Sequence, residues 1–210
     1  MKTKTSMLRP ALVGLSALCF TGSVALALDL TPRQSLRQGN EGPPTPVLRF
    51  SEGQDTIEFR PPPGWQASGG GHALTFYTSE PSSWMKLSVV NRGSPGAQGK
   101  PRAQGNADAQ GSTGADTEDL QEWAKQFAPV GAEKVEFIKM IPSPFTAGPH
   151  PSTEYQYGCV LNGFRMELSI SVVDYSDKQR LVMLVAAEPG NFEPMRQQAV
   201  ASMFSWAEVK

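Results

Sequence analysis

The run Thr153-Glu154-Tyr155-Gln156-Tyr157-Gly158-Cys159-Val160-Leu161-Asn162-Gly163-Phe164-Arg165-Met166-Glu167-Leu168-Ser169-Ile170-Ser171-Val172-Val173 decides the fold. Asn162-Gly163 splits it into two alternating apolar and polar stretches. Asn-Gly is the preferred sequence for a two-residue type I′ turn, because both central residues need a positive φ. That turn sets the register. Leu161 faces Phe164, Cys159 faces Met166, Tyr157 faces Leu168, and Tyr155 faces Ile170. These eight residues share one face of an antiparallel hairpin. Glu154, Gln156, Val160, Arg165, Glu167, Ser169 and Ser171 share the other, which is expected to be wet or lightly covered.

Further strands are expected on both sides of the hairpin. Leu181-Val182-Met183-Leu184-Val185-Ala186-Ala187 is apolar on both faces and reads as a central strand covered twice. Thr56–Arg60, Ala73–Thr78, Met85–Asn91 and Lys134–Ile141 supply further strands. Leu120, Trp123, Ala124 and Phe127 recur at helical spacing. Asp116 or Thr117 caps that helix, and Pro129 and Gly131 stop it. A last helix runs from about Asn191 to Phe204 and buries Phe192, Met195, Ala199 and Met203. The order is three strands, helix, four strands, helix. The expected fold class is α+β: one antiparallel β-sheet of about six to seven strands packed with two main helices.

Two stretches lack these signals. Residues 28–52 are rich in Pro, Gln, Gly and Arg and read as a flexible linker, with Gly42-Pro43-Pro44-Thr45-Pro46 stiff and extended. Residues 92–115 contain no Val, Ile, Leu, Met, Phe, Trp or Tyr. Ala-Gln-Gly recurs there at 97, 103 and 109. A hexad period suits a β-helix, but that fold needs an aliphatic residue per turn to fill its axis. The segment therefore reads as a disordered insert in a single domain spanning 53–210. Gly and Pro number 20 and 18 in 210 residues, above an ordinary combined share of about 12%. The linker and the insert account for much of that excess.

Residues 1–27 read as a secretory signal peptide. Lys2, Lys4 and Arg9 precede an uncharged run, and Ala25-Leu26-Ala27 is a small-x-small cleavage site. Cleavage after Ala27 places the protein in the periplasm or outside the cell. Retention as an uncleaved membrane anchor is the alternative. The whole chain carries a net charge of −1, and losing three basic residues makes it more acidic. Nucleic acid is therefore not an expected partner. Only Cys159 remains after cleavage, so no internal disulfide is expected.

The order of elements resembles the fold shared by the photosystem II extrinsic PsbP proteins and the bacterial DcrB-like exported proteins. The residues that carry it are a strand ending in a Pro-Gly-Trp turn (Ile57-Glu58-Phe59 through Trp65), a helix after the third strand, and a terminal helix closing in Ser202-Met203-Phe204-Ser205-Trp206. The resemblance covers about 55–91 and 116–208. It implies an α/β/α sandwich and an accessory or binding role. It transfers no functional residue, and the hexad insert departs from it.

No catalytic set emerges from the sequence. His72 and His150 lie in Gly/Pro-rich loops without the ligand spacing of a zinc site. A meeting of the two with Glu154 is the sharpest metal reading. Gly69-Gly70-Gly71 lacks the serine elbow or the lysine that would make it an oxyanion or phosphate loop. Cys159 points to the apolar face, where a thiol is unreactive. Glu154 and Glu167 lie about 14 Å apart along the hairpin, too far for a glycosidase pair. No cofactor is expected. Trp123 and Trp65 are expected in the core, and Trp84 is the best exposed aromatic. The leading expectation is an exported, non-catalytic binding or assembly module with a protein partner in the envelope. The alternative is a carrier of a small hydrophobic ligand in a pocket near Trp65, Tyr155 and Tyr157. A hydrolase using loop His and carboxylates is the third reading. The candidate binding residues are Trp84, Trp65, Tyr155, Tyr157, His72 and His150.

Overall fold

The computed structural model describes residues 28–38, 43–78, 83–92, 120–147 and 150–209. The expected signal peptide lies outside them, as does the hexad insert beyond Arg92. The hairpin is the pair β8 (His150–Leu161) and β9 (Phe164–Asp174). Its pairing follows the expected register from Leu161 opposite Phe164 to Tyr155 opposite Ile170. Asn162 and Gly163 hold φ of 53° and 85°, the left-handed conformations that a type I′ turn requires.

Outward from the hairpin come β10 (Gln179–Ala187) and β6 (Trp84–Asn91), then β5 (Ala73–Tyr77) and β4 (Gln66–Gly70). On the other side lies β7 (Ala132–Ala147). The sheet order is β4-β5-β6-β10-β9-β8-β7, and every pairing is antiparallel. β10 occupies the centre with all but one residue buried, as its two-sided apolar run requires. β7 is the edge strand on the hairpin side. Register shifts interrupt its pairing, and Lys134 and Lys139 sit among exposed Phe137, Ile138 and Met140. Bulges and lysines hinder further strand addition at such an edge.

The linker expected over 28–52 is corrected. β1 (Leu28–Arg37) and β2 (Thr45–Glu52) are strands. They pair with β3 (Asp55–Phe59), and β11 (Ala207–Val209) closes a four-stranded sheet in the order β1-β2-β3-β11. Leu28, Leu30, Val47, Leu48 and Phe50 are buried. A sparse apolar pattern suffices here because the second sheet supplies both hydrogen-bond partners and a core to face. Phe50, Phe59 and Trp206 pack ring against ring at centroid distances of 5.6–6.1 Å. The Gly69-Gly70-Gly71 run has a packing reason. A Cβ on Gly69 would meet the Ala73 carbonyl oxygen at 2.7 Å, and one on Gly70 would meet Thr31 at 3.1–3.2 Å. Leu30 N–H donates to Gly71 O (2.7 Å), so β1 is tied directly to the rim of the larger sheet.

The seven-stranded sheet has a core on each face. One face carries Leu74, Phe76, Met85, Leu87, Leu181, Met183 and Val185 against the small sheet. Beside that sheet, helix α2 (Pro189–Met203) lies over β10, β9 and β7 and buries Phe192, Ala199, Val200 and Met203. The opposite face carries Tyr155, Tyr157, Met166, Leu168, Ile170 and Leu184 against Trp123 and Ala124. Those two lie on helix α1, described over 120–125. Tyr157 fixes α1 by donating its hydroxyl to Gln121 O (2.7 Å). The architecture is α+β with both main helices on opposite faces of one sheet, as expected. The additional four-stranded sheet was not anticipated.

The polar face of the hairpin stays exposed only near its turn, at Arg165, and is buried farther along, which is the second correction. Glu154, Gln156, Ser169 and Ser171 are all buried, with Glu154 at 0% exposure. Gln156 Nε2 and Ser169 Oγ donate to Glu154 Oε1 at 2.7 and 2.8 Å. Arg196 of α2 reaches Glu154 Oε2 at 3.0 Å and also grips Glu193 at 3.0–3.1 Å. Burial opposes the charge on Arg196, but its hydrogen bonds and attraction to Glu193 and Glu154 prevail and raise its pKa. An internal ion pair thus fastens α2 to the sheet.

Candidate functional site

In its described residues, α1 covers only part of one sheet face. Its described turns lie over the β8-β9-β10 half. Among the described residues, the same face remains partly open over β5 and β6. The strands alternate there: Met85, Leu87 and Val89 face the buried side, while Trp84, Lys86 and Ser88 face outward. Thr75 and Tyr77 of β5 pair with Lys86 and Trp84. The chain leaving α1 at 126–130 forms the opposite wall. The result is a groove of about 720 Å³, within the range typical of ligand sites.

Trp84 is half-buried in this groove, beside exposed Tyr77 and half-buried Phe127. Val130 on the rim is fully exposed at 101%. Val182 and Leu184 complete the apolar floor, and Lys86 supplies the single charge among the lining residues. Lys86 forms no ion pair with any described residue. Ser83 lines one end, and its buried hydroxyl has no hydrogen-bond partner among the described residues. The place of Trp84 after Glu80-Pro81-Ser82-Ser83 marked it in the sequence but not the groove, whose other wall comes from a segment more than forty residues away.

The other expected site residues do not gather here. Tyr155 and Tyr157 are buried at 1% and 0% beneath α1, and burial pushes both phenols up. Trp65 is buried in the core on the opposite face and donates through Nε1 to Gln198 Oε1 (3.3 Å). The pocket envisaged between Trp65, Tyr155 and Tyr157 is therefore corrected, because the sheet separates them. Trp65 instead backs a cleft of about 770 Å³ between Leu36 of β1 and Pro61-Pro62-Pro63.

His72 is exposed in the β4–β5 turn, and His150 is half-buried at the start of β8. β5 and β8 stand four strand spacings apart, about 19 Å. The two histidines do not meet, and Glu154 is enclosed by Arg196, Gln156 and Ser169. His150 shares a hollow of about 240 Å³ with Glu52, Tyr175, Trp206 and Glu208. No described hydrogen bond joins His150 to either carboxylate there. Glu52 instead accepts from Tyr175 Oη (2.6 Å). Burial, followed by this bond, pushes the Tyr175 phenol up, so it stays a neutral donor. Cys159 is buried, and burial raises its thiol pKa, which suppresses the reactive thiolate. Glu154 and Glu167 occupy the separate register positions expected of them, opposite Ser171 and Gly158. No group of three or more His, Cys, Asp or Glu is arranged for a metal ion among the described residues. Among those residues no helix is long and apolar enough to cross a membrane.

No protein-family model matches the chain, and no curated protein matches it. The chain is similar to several solved structures, three of which follow. The cyanobacterial PsbP of Synechocystis matches at a TM-score of 0.49 and 14% identity, covering 82% of this chain and 98% of that one. LpqN of Mycobacterium tuberculosis, a protein involved in cell envelope biogenesis, matches at 0.42 and 11%, covering 86% and 92%. A Pseudomonas aeruginosa protein of unknown function matches at 0.39 and 14%, covering 79% and 92%. The PsbP resemblance read from the order of elements thus has a solved PsbP among the structural neighbours. Scores below 0.5 at these identities carry no argument about activity, so the groove is judged on its own residues.

An electrostatic cluster marks the opposite end of the central strand. Asp174 accepts from Arg180 Nε (2.8 Å) and pairs with Arg92. Arg180 also lies 4.7 Å over the ring of Trp123. Burial alone would raise the Asp174 pKa, but hydrogen bonds from Arg180 and Arg92 outweigh it and hold the carboxyl low. Because its folded pKa is depressed, Asp174 stabilises the fold above its unfolded pKa of about 3.9, and that contribution disappears as pH falls through the folded value. Asp174→Asn is expected to be less stable than the parent at neutral pH. The gap should close as pH drops below about 4. Urea midpoints measured from pH 7 to pH 2.5 test this, and a gap independent of pH would refute it.

Proposed function

We propose that the chain is an exported, non-catalytic accessory module of the cell envelope that binds its partner through the β5–β6 groove. One contrast carries this reading. Among the described residues the titratable side chains are mostly dispersed or paired, and His150 makes no hydrogen bond to the carboxylates it lies near, whereas aromatic and aliphatic side chains converge on the groove. Catalysis needs a base, a nucleophile or an acid placed within hydrogen-bond reach of one another. Binding needs an apolar surface with a few polar anchors, and the groove offers that. Export rests on the signal-like features of residues 1–27, with the mature chain beginning at Leu28.

The test is capture from envelope extract with the mature protein and two variants. Trp84→Ala removes the central ring, and Val130→Asp places a charge on a fully exposed rim position. A partner retained by the parent and lost from both variants supports the reading, provided their unfolding midpoints match the parent's. A partner retained equally by all three overturns it.

A further inference from the structure

The small sheet sorts its charges along the strand direction. Asp29, Glu52 and Asp55 stand at one end, around the β2–β3 turn, and Glu208 lies close by, opposite Ile57. Arg33 and Arg49 face each other across the middle. Arg37 pairs with Thr45 at the other end, and Arg60 follows Phe59, which pairs with Leu48. All four arginines are exposed or partly exposed. The acid among them, Glu58, is 5% exposed and already held: Arg49 donates to it at 2.7 and 3.0 Å, and Arg37 lies at 3.7 Å. A lone exposed arginine is ordinary solvated surface. Two placed directly across an antiparallel pair repel each other and cost stability, and one Glu58 offsets only part of four positive charges. The same end of the sheet exposes two large apolar side chains. Leu36, beside Arg37, is 66% exposed. Phe204 is 64% exposed and precedes Ser205, whose hydroxyl accepts from Arg60 N–H at 2.6 Å.

The geometry points to an anionic phospholipid surface as the partner of this end of the small sheet. The guanidinium groups meet headgroup phosphates, whose oxygens they match with paired hydrogen bonds. Leu36 and Phe204 enter the boundary between headgroups and acyl chains. At about two-thirds exposure both project into solvent, and a fluid boundary accepts them without a matching pocket. Electrostatic attraction to anionic lipid and burial of apolar area then add. The sorting of charge matters because the whole chain is slightly acidic, with a net charge of −1. Only an orientation that turns the basic end to the bilayer and the acidic end away is attractive. None of these residues lines the β5–β6 groove, so the membrane contact is independent of it.

The mature chain from Leu28 is mixed with vesicles of phosphatidylcholine alone or of phosphatidylcholine with phosphatidylglycerol, and the bound fraction is read by co-sedimentation. Partitioning to the anionic vesicles is expected to be at least tenfold stronger. Raising salt from about 0.01 M to about 1 M shortens the screening length from about 30 Å to about 3 Å and should release most of the bound chain. Arg33→Gln combined with Arg60→Gln leaves Glu58 both of its partners. That double variant should weaken partitioning about twenty-fivefold, at about fivefold per arginine. Phe204→Ser should weaken it without changing the salt dependence. Arg165→Gln combined with Lys178→Gln makes the same charge change at exposed positions outside the small sheet and should leave partitioning unchanged. Unfolding midpoints matching the parent's show that each variant is folded. Equal partitioning to both vesicle types, no partitioning, or equal losses in the two double variants overturns the assignment. Two further results would also overturn it. Release by inorganic phosphate at matched ionic strength would identify a bound ion, and binding of polyglutamate without binding of vesicles would identify an acidic protein.

Discussion

Phe50→Ala is expected to destabilise the protein by about 3–5 kcal/mol, the usual cost of truncating a buried aromatic. Phe50 lies in a segment that reads as a linker, and a substitution in a true linker stays within about 0.5 kcal/mol. The two outcomes are therefore well separated. Phe50 is 1% exposed, with Phe59 at 6.1 Å and Trp206 at 5.6 Å between ring centroids. Losing the ring leaves a void where the small sheet meets the large one. Close-packed interiors relax only partly around such a void, so the cavity adds to the lost transfer free energy. Urea denaturation followed by tryptophan fluorescence reads the change directly. A midpoint unchanged from the parent would mean that β1 and β2 do not contribute to the core.

The second large effect concerns the buried ion pair. Arg196→Met is expected to cost about 3–5 kcal/mol, because it leaves the Glu154 carboxylate buried without its charge partner. The Coulomb attraction is not the main reason. The cost of stranding a charge in the interior exceeds the net worth of the intact pair. Adding Glu154→Gln to Arg196→Met should therefore recover more than half of the loss. A glutamine in that position is neutral, and its oxygen can still accept from Gln156 and Ser169. The double-mutant cycle isolates the coupling. If Arg196→Met alone costs less than about 1 kcal/mol, α2 is held by its apolar residues and the pair is incidental.

These two predictions fall where the sequence was hardest to read. In Leu28–Arg37, Leu28 and Leu30 are the only buried residues, and Pro32 and Arg33 interrupt the alternation. Such a segment has little strand preference of its own. It becomes a strand because β2 offers partners and the Gly70–Gly71 rim offers a close contact. Glu154, Gln156 and Ser169 likewise form a polar stripe of the kind that marks a solvated face. Only the return of α2, some forty residues later, buries them and supplies the arginine that makes the burial tolerable.

The candidate groove divides in the same way. Trp84 was legible as an aromatic outside the core pattern. Lys86 and Ser83 were not, because a single lysine or serine in an alternating strand is ordinary surface chemistry. That they line a groove depends on the 126–130 segment standing opposite them. His72 and His150, which attracted attention as the chain's only histidines, are separated by the width of four strands.

By itself the sequence determined what depends on neighbours in the chain: the Asn162-Gly163 turn, the register of β8 on β9, the central place of β10 and the apolar stripes of both helices. Turn dihedrals and side-chain periodicity are local, and alternation at a period of two admits one register for a given buried face. The tertiary structure alone decided the second sheet, the buried Glu154–Arg196 pair and the groove under Trp84. Each depends on segments far apart in sequence, whose residue types become strand, ion pair or binding wall only once packing sets what stands across from them.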